Sequence, residues 1–147
     1  MADKTEVAVA ILYQGDHFLL QLRDDIPGIL YPGHWGFFGG HMEPGEDPLT
    51  AMRRELLEEI GYVPPALDLF QRTELDHVVR HVFHGVLPVA VESLTLMEGW
   101  DLGLWTVDEI CQGQRYSQRA GQVRPLGLPH QEILLSFLDH RRIEQAM

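Results

Sequence analysis

The chain has 147 residues, 45% of them apolar and 22% charged, a balance that suits one ordinary globular domain with a sizeable core. Its formal net charge of −11 argues against nonspecific binding to nucleic acid or to an anionic membrane, both of which call for basic patches. No apolar run approaches the roughly 20 residues of a membrane-spanning helix, and a small phosphate ligand stays open to so acidic a protein if a metal ion reverses the local field.

The first segment, MADKTEVAVAILY, carries an apolar run too short for a signal peptide. Val7–Tyr13 is apolar on both alternating faces, as expected of a strand buried between two layers. A QGD turn leads to HFLLQLR, a second strand ending at Arg23, and the pair reads as a hairpin. Residues 24–34 form a Pro- and Gly-rich loop ahead of Trp35-Gly36-Phe37-Phe38 and the pair Gly39-Gly40. The clearest helix follows: Asp47 can cap its N-terminus, Pro48 suits the first helical position, and Gly61 can take the left-handed conformation that ends it. Residues 66–75, 77–87 and 89–96 then read as successive strands, and 102–107 as a further short one. Thr106 and Glu109 have capping-box spacing. Residues 112–128 read as a polar loop carrying Arg115, Arg119 and Arg124 that could fold over phosphates, against the default of a mobile surface loop, and Pro129 opens a last amphipathic helix with Ile133, Leu134, Phe137 and Leu138 inward. No repeat or linker divides the chain, so residues 1–147 are expected to form a single α/β domain with a mixed sheet. The lone Cys111 excludes an intramolecular disulfide and fits a reducing compartment, most simply the cytoplasm; it is expected as a small core residue near a helix end.

The helix after Pro48 breaks local rules. At about 100° per residue, Leu49, Met52, Leu56 and Ile60 share one arc, which is its core face. Glu55, Glu58 and Glu59, spaced i, i+3, i+4, cluster on the neighbouring arc. Carboxylates at that spacing repel, and these sit toward the helix C-terminus, where the macrodipole disfavours negative charge. Two rules broken in one place mark a functional site. A divalent cation resolves the conflict, because Mg²⁺ takes carboxylate, water and phosphate oxygens. Arg54, four residues before Glu58, can pair with it and hold the cluster. On charge spacing alone, a solvated acidic face with Arg53 and Arg54 as counterions is equally open.

Gly40, Glu46, Arg54-Glu55-Leu56, Glu58-Glu59 and Gly61, at their spacing, resemble the complete signature box of the Nudix, or MutT-like, hydrolases. Tyr62 departs from the aliphatic residue the family usually has there, and Phe38 replaces the proline many members carry before the two glycines. The resemblance implies an α/β/α sandwich over nearly the whole chain. It also implies Mg²⁺-dependent hydrolysis, with Mn²⁺ as a second candidate ion, of a nucleoside diphosphate linked to another group. Carried over by position, Glu55, Glu58 and Glu59 would be carboxylate metal ligands, and the backbone carbonyl of Gly39 or Gly40 could add another. Arg54 would orient the glutamates, with Glu46 pairing to the arginine in a supporting role. Such chemistry needs phosphoryl charge neutralised and a water activated for in-line attack. The base that takes the proton stays open between Glu55 and Glu98, the latter with the plain alternative of an exposed loop acid beside Gly99. The preferred substrate is a nucleoside triphosphate or an oxidised nucleotide. A sugar nucleotide (NDP-sugar or ADP-ribose) is the alternative, and a non-catalytic nucleotide-sensing module is the reading from another class. Many relatives dimerise, so a homodimer is open, although no feature marks an interface.

Three further readings rest on residues outside the box. Arg23 is a candidate phosphate contact, against a strand-end charge reaching solvent. Trp35 and Phe37, on one face of a short strand beside the glycines, are candidate substrate contacts, against ordinary core. His77, His81 and His84 would meet on a helix, but on a strand His84 faces away and the other two stand about 13 Å apart, so no zinc site is expected.

Overall fold

The structure, a computed structural model, describes residues 4–146. In chain order its strands are Thr5–Gln14 (β1), His17–Leu22 (β2), Trp35–Gly36 (β3), Phe38–His41 (β4), Asp68–Leu75 (β5), Val78–Val86 (β6), Asp101–Trp105 (β7), Gln114–Ser117 (β8) and Gln122–Pro125 (β9). The helices are Pro48–Ile60 (α1), Val107–Gln112 (α2) and Leu128–Ala146 (α3).

Strand β1 is the hub. Val7, Val9 and Ile11 point to one face and Ala8, Ala10 and Leu12 to the other, and all six are buried. A strand buried on both faces needs two covering layers. Helix α1 supplies one, packing Ala51, Met52, Leu56 and Ile60 with Ala8, Ala10, Leu12, Leu19, Phe38 and Phe83. Helices α2 and α3 supply the other, where Ile110, Ile133, Leu134 and Phe137 meet Val9, Ile11, Phe18, Leu20, Trp35 and Trp105. The result is an α/β/α sandwich with a mixed sheet. β1 pairs in parallel with β6 along its length, the other ladders of this sheet are antiparallel, and a single parallel bridge joins Trp35 to Leu126. The expected caps of α1 are in place: the Asp47 side chain accepts the Thr50 amide, and Gly61 adopts φ 67°. Each fully buried aliphatic side chain of α1 contributes about 1.5–3 kcal/mol.

What positions the site is a fork at the free edge of β1. β2 pairs with β1 only over Leu12–Gln14, and β4 takes the same edge over Val7–Ala10. β2 meanwhile continues along β7 and β3. The end of β2 and the glycines of β4 therefore face each other across a cleft.

Three sequence expectations need correction. Residues 89–96 are not a strand: they hold a single 3₁₀ turn at Val91–Ser93. The end of the stretch serves α1 instead, Thr95 donating to the Ile60 carbonyl and Met97, just beyond it, to that of Glu59, which satisfies carbonyls a helix leaves open. Residues 112–128 are not an open loop, since β8 and β9 pair as a hairpin with Gln114 opposite Pro125. Trp35 and Asp101 hold that hairpin, the indole through the Arg115 carbonyl and the carboxylate through the Ser117 hydroxyl. Cys111 lies near a helix end as expected but is exposed, and its neighbour Ile110 fills the core. Among the described residues no helix is long and apolar enough to cross a membrane.

Candidate active site

The backbone of β4 is where the site begins. Gly39 has φ 144°, a conformation L side chains rarely adopt, and a Cβ there would strike the Ala8 carbonyl of β1. Its amide is left to donate to Glu59 Oε1 at 2.8 Å. A Cβ on Gly40 would stand 2.7 Å from the Glu55 carboxylate, so the glycine is what lets that side chain lie against the strand. Two glutamates of α1 are thus pressed onto two glycines of β4.

Arg54 organises the outer side. Its Nε and Nη2 donate to the two oxygens of Glu46 at 2.9 and 3.0 Å, a bidentate pair. Nη1 reaches Glu55 at 3.1 Å and Glu58 at 3.4 Å, while Nη2 also donates to the His41 carbonyl at 3.1 Å. One guanidinium therefore ties the loop before α1 to its acidic face. The Arg54 bonds, followed by the Glu43 amide, hold the Glu46 carboxyl down at about 2.

The inner carboxylates behave differently. Glu59 is only 2% exposed, and burial, then the nearby Glu55, push its pKa up to about 8 in spite of the Gly39 amide. Glu55 is also raised, first by burial, against the pull of Arg54. Glu55, Glu59 and Glu98 line one cleft together with Gln21, Arg23, Gly39 and Gly40. Glu98 itself is exposed, and its backbone carbonyl is held by the Gln21 amide at 2.8 Å. Arg23 faces these acids with its Nε buried and unpartnered.

Of the residues singled out from the sequence, Gly39, Gly40, Glu55, Glu59, Glu98 and Arg23 thus share one cleft. Glu58 does not line it; half-exposed, it is fastened to Arg54. Trp35 lies away from it, packed in the core against Trp105 at 5.4 Å, and so is placed as core rather than as a substrate contact. Phe37, equally buried, lines a second cleft that shares Arg23, Gly39, Gly40 and His41 with the first. His77 sits in the turn before β6, His81 bonds Glu6 at 3.0 Å, and His84 stacks on Tyr13, so the three stay apart. Neither β8 nor β9 lines either cleft; Arg124 of that hairpin instead anchors the 24–34 loop through the Gly33 carbonyl at 2.8 Å.

Sequence reasoning missed Arg80 and His130, which line the second cleft. Arg80 carried a readable signal, a charge in register with Val78 and Val82 on an inward face. His130 carried none, because α3 brings it in from far along the chain.

Among the described residues no three His, Cys, Asp or Glu side chains converge as a ready-made cation cage, since Arg54 holds Glu55 and Glu58 and the Gly39 amide holds Glu59. The donor set nevertheless fits a hard divalent ion. Its carboxylates and glycine carbonyls are oxygen donors, its acids outnumber Arg23, and burial first, then the neighbouring acids, makes the two inner carboxyls resist ionisation until a cation offsets both.

Residues 3–123 match the family model described as NUDIX domain. Among curated proteins the chain is similar to nucleoside triphosphatase NudI of Escherichia coli O1:K1 / APEC, 41% identical over 61 residues. That match spans 42% of this chain and 42% of the relative's length. Among solved structures, the NUDIX domain of Shewanella oneidensis NrtR complexed with ADP ribose superposes with a TM-score of 0.72 at 16% identity, covering 95% of this chain and 90% of that one. A MutT protein from Methanosarcina mazei Go1 gives a TM-score of 0.62 at 23% identity over 82% and 90% of the two chains. With a signature box folded around one glycine-lined cleft, and a domain match over most of its length, the chain belongs to the Nudix family of hydrolases.

Proposed function

We propose that the protein is a divalent-cation-dependent pyrophosphohydrolase that cleaves the phosphoric anhydride of a nucleoside triphosphate or a related nucleotide. The observation that carries this reading is the cleft in which Glu55, Glu59 and Glu98 gather beside Gly39-Gly40, the same glycines that a second cleft shares. Glu55 and Glu59 would hold Mg²⁺ or Mn²⁺ in the cleft, joined by Glu58 on its release from Arg54, with a backbone carbonyl of Gly39 or Gly40 as a further oxygen. When bound, the ion neutralises phosphoryl charge and acidifies a water.

The chain's own groups do the rest. Arg23 receives a phosphate from the wall opposite the glutamates, and the glycines let the phosphates approach the backbone. Arg54 fixes the carboxylates through Glu46, so that their positions do not depend on the substrate. The proton of the attacking water passes to Glu55 or Glu98, both of which line the cleft.

Phosphate or pyrophosphate release with Mg²⁺ against a nucleotide panel tests the reading. Turnover of at least one nucleoside triphosphate is expected, with Glu58→Gln losing about 100-fold or more while keeping its fold. Tight binding of a nucleotide with no turnover across the panel would instead make the protein a sensor.

A further inference from the structure

The second cleft is built for a flat ligand with an accepting edge. Val7, Val9, Val78 and Phe37 form its walls, and Leu30 and Tyr31 of the 24–34 loop close over it. Such apolar surfaces suit the faces of a nucleobase. The polar groups at the inner end are unusual.

Arg80 is only 6% exposed, yet among the described residues no carboxylate pairs with it. Glu132 lines a neighbouring groove with Arg80 but forms no ion pair with it. With no carboxylate to neutralise it, this guanidinium is open to an acceptor that enters the cleft. His130 is 8% exposed, and its Nδ1 accepts the Phe37 amide at 3.0 Å. That bond leaves the ring proton on Nε2, for which the described residues supply no partner. Burial first, then the charge of Arg80, hold the ring neutral down to about 3, so it stays in this form through the physiological range. Beyond Arg23 and His41, which it shares with the first cleft, the cleft therefore offers the Arg80 guanidinium and an imidazole N–H, and no carboxylate or carboxamide side chain lines it.

Resting on the reading of the carboxylate cleft as the phosphate end, we propose that Arg80 and His130 select nucleotides whose base presents a carbonyl, a 6-keto purine or a 4-keto pyrimidine. Bases with an exocyclic amino group at that position are disfavoured. An arginine donating to a base carbonyl is a common specific contact, whereas an amino group set against two donors leaves buried polar groups unpaired. The two clefts share Arg23, Gly39, Gly40 and His41, so one nucleotide can span both.

Calorimetric titration with the 5′-monophosphates of guanosine, uridine, adenosine and cytidine, with Mg²⁺ present, tests this. The guanosine and uridine compounds should bind at least about fivefold tighter than their amino counterparts. Arg80→Met should erase that preference without lowering the melting temperature, because no ion pair is lost. Arg80→Gln, which adds an acceptor, should narrow it and serves if the methionine variant fails to fold. Equal affinities in the unsubstituted protein (absence of binding included), a preference for amino bases, or a preference unchanged in a folded Arg80 variant would overturn the proposal. Selective binding without hydrolysis of the matching triphosphates would sink the pyrophosphohydrolase reading and leave this one standing; hydrolysis with no base preference would do the reverse.

Discussion

Two clefts meet at Gly39 and Gly40, and they hold opposite charge in opposite ways. On one side Glu55 and Glu59 are forced together by the pitch of α1 and pressed onto β4, so Glu59 binds its proton more tightly than a carboxyl in water. On the other side His130 is buried beside Arg80 and gives up its proton too easily. Neither region is neutralised by the protein alone. The difference teaches what each awaits: a cation on the acidic side, a hydrogen-bond acceptor on the basic one.

The sharpest way to break the contrast is to remove one acid from the cleft without changing its shape. Glu98→Gln should lower turnover by about 10²–10⁴ if Glu98 takes the proton of the attacking water, measured as steady-state product release. A drop below about fivefold would assign that role to Glu55. Loosening the scaffold that holds the acids should cost less. Arg54→Lys keeps the charge but gives up the bidentate grip on Glu46 and the reach to Glu55 and Glu58. A loss of about 10–100-fold in activity or metal affinity is expected, a range typical of residues that orient ligands.

The smallest effects are on stability, and they run in opposite directions with pH. Glu59 has its pKa raised from 4.5 to about 8, so the unfolded chain releases this proton first. Metal-free protein should therefore lose stability as pH rises from 4.5 toward 8, and Glu59→Gln should remove that slope. His130 has its pKa lowered from 6.5 to about 3, so below 6.5 the unfolded chain binds the extra proton. Stability should fall as pH drops through this window, and His130→Gln, whose amide oxygen can still accept the Phe37 N–H, should flatten it. Melting curves in chelator should resolve differences of about 2–4 °C. Parallel slopes in both variants would remove the contrast between the clefts.

The acidic cleft could be read from the chain because its determinants are local. Asp47, Pro48 and Gly61 delimit α1, the helical repeat places Glu55, Glu58 and Glu59, and the glycines stand a few residues upstream. Helical periodicity could not say that Glu58 lies outside the cleft, because that depends on which oxygens Arg54 captures. The second cleft draws on β1, the 24–34 loop, β6 and α3, and no short-range pattern encodes such a meeting. Residues 89–96 misled for a related reason. Their Val and Leu content suits a strand, but each amide goes to its most available acceptor, and Thr95 and Met97 find the open end of α1. The β8–β9 hairpin misled because Tyr116 and Val123 point outward, leaving no buried alternation to read.

The central claim is that the inner glutamates bind the cation on which turnover depends. Mn²⁺ titration followed by electron paramagnetic resonance measures this directly. Saturable binding is predicted, weakened about tenfold or more by Glu55→Gln and by Glu59→Gln, and unchanged by Glu43→Gln, whose exposed side chain lies outside the cleft. Equal Mn²⁺ affinity in all four proteins would contradict it.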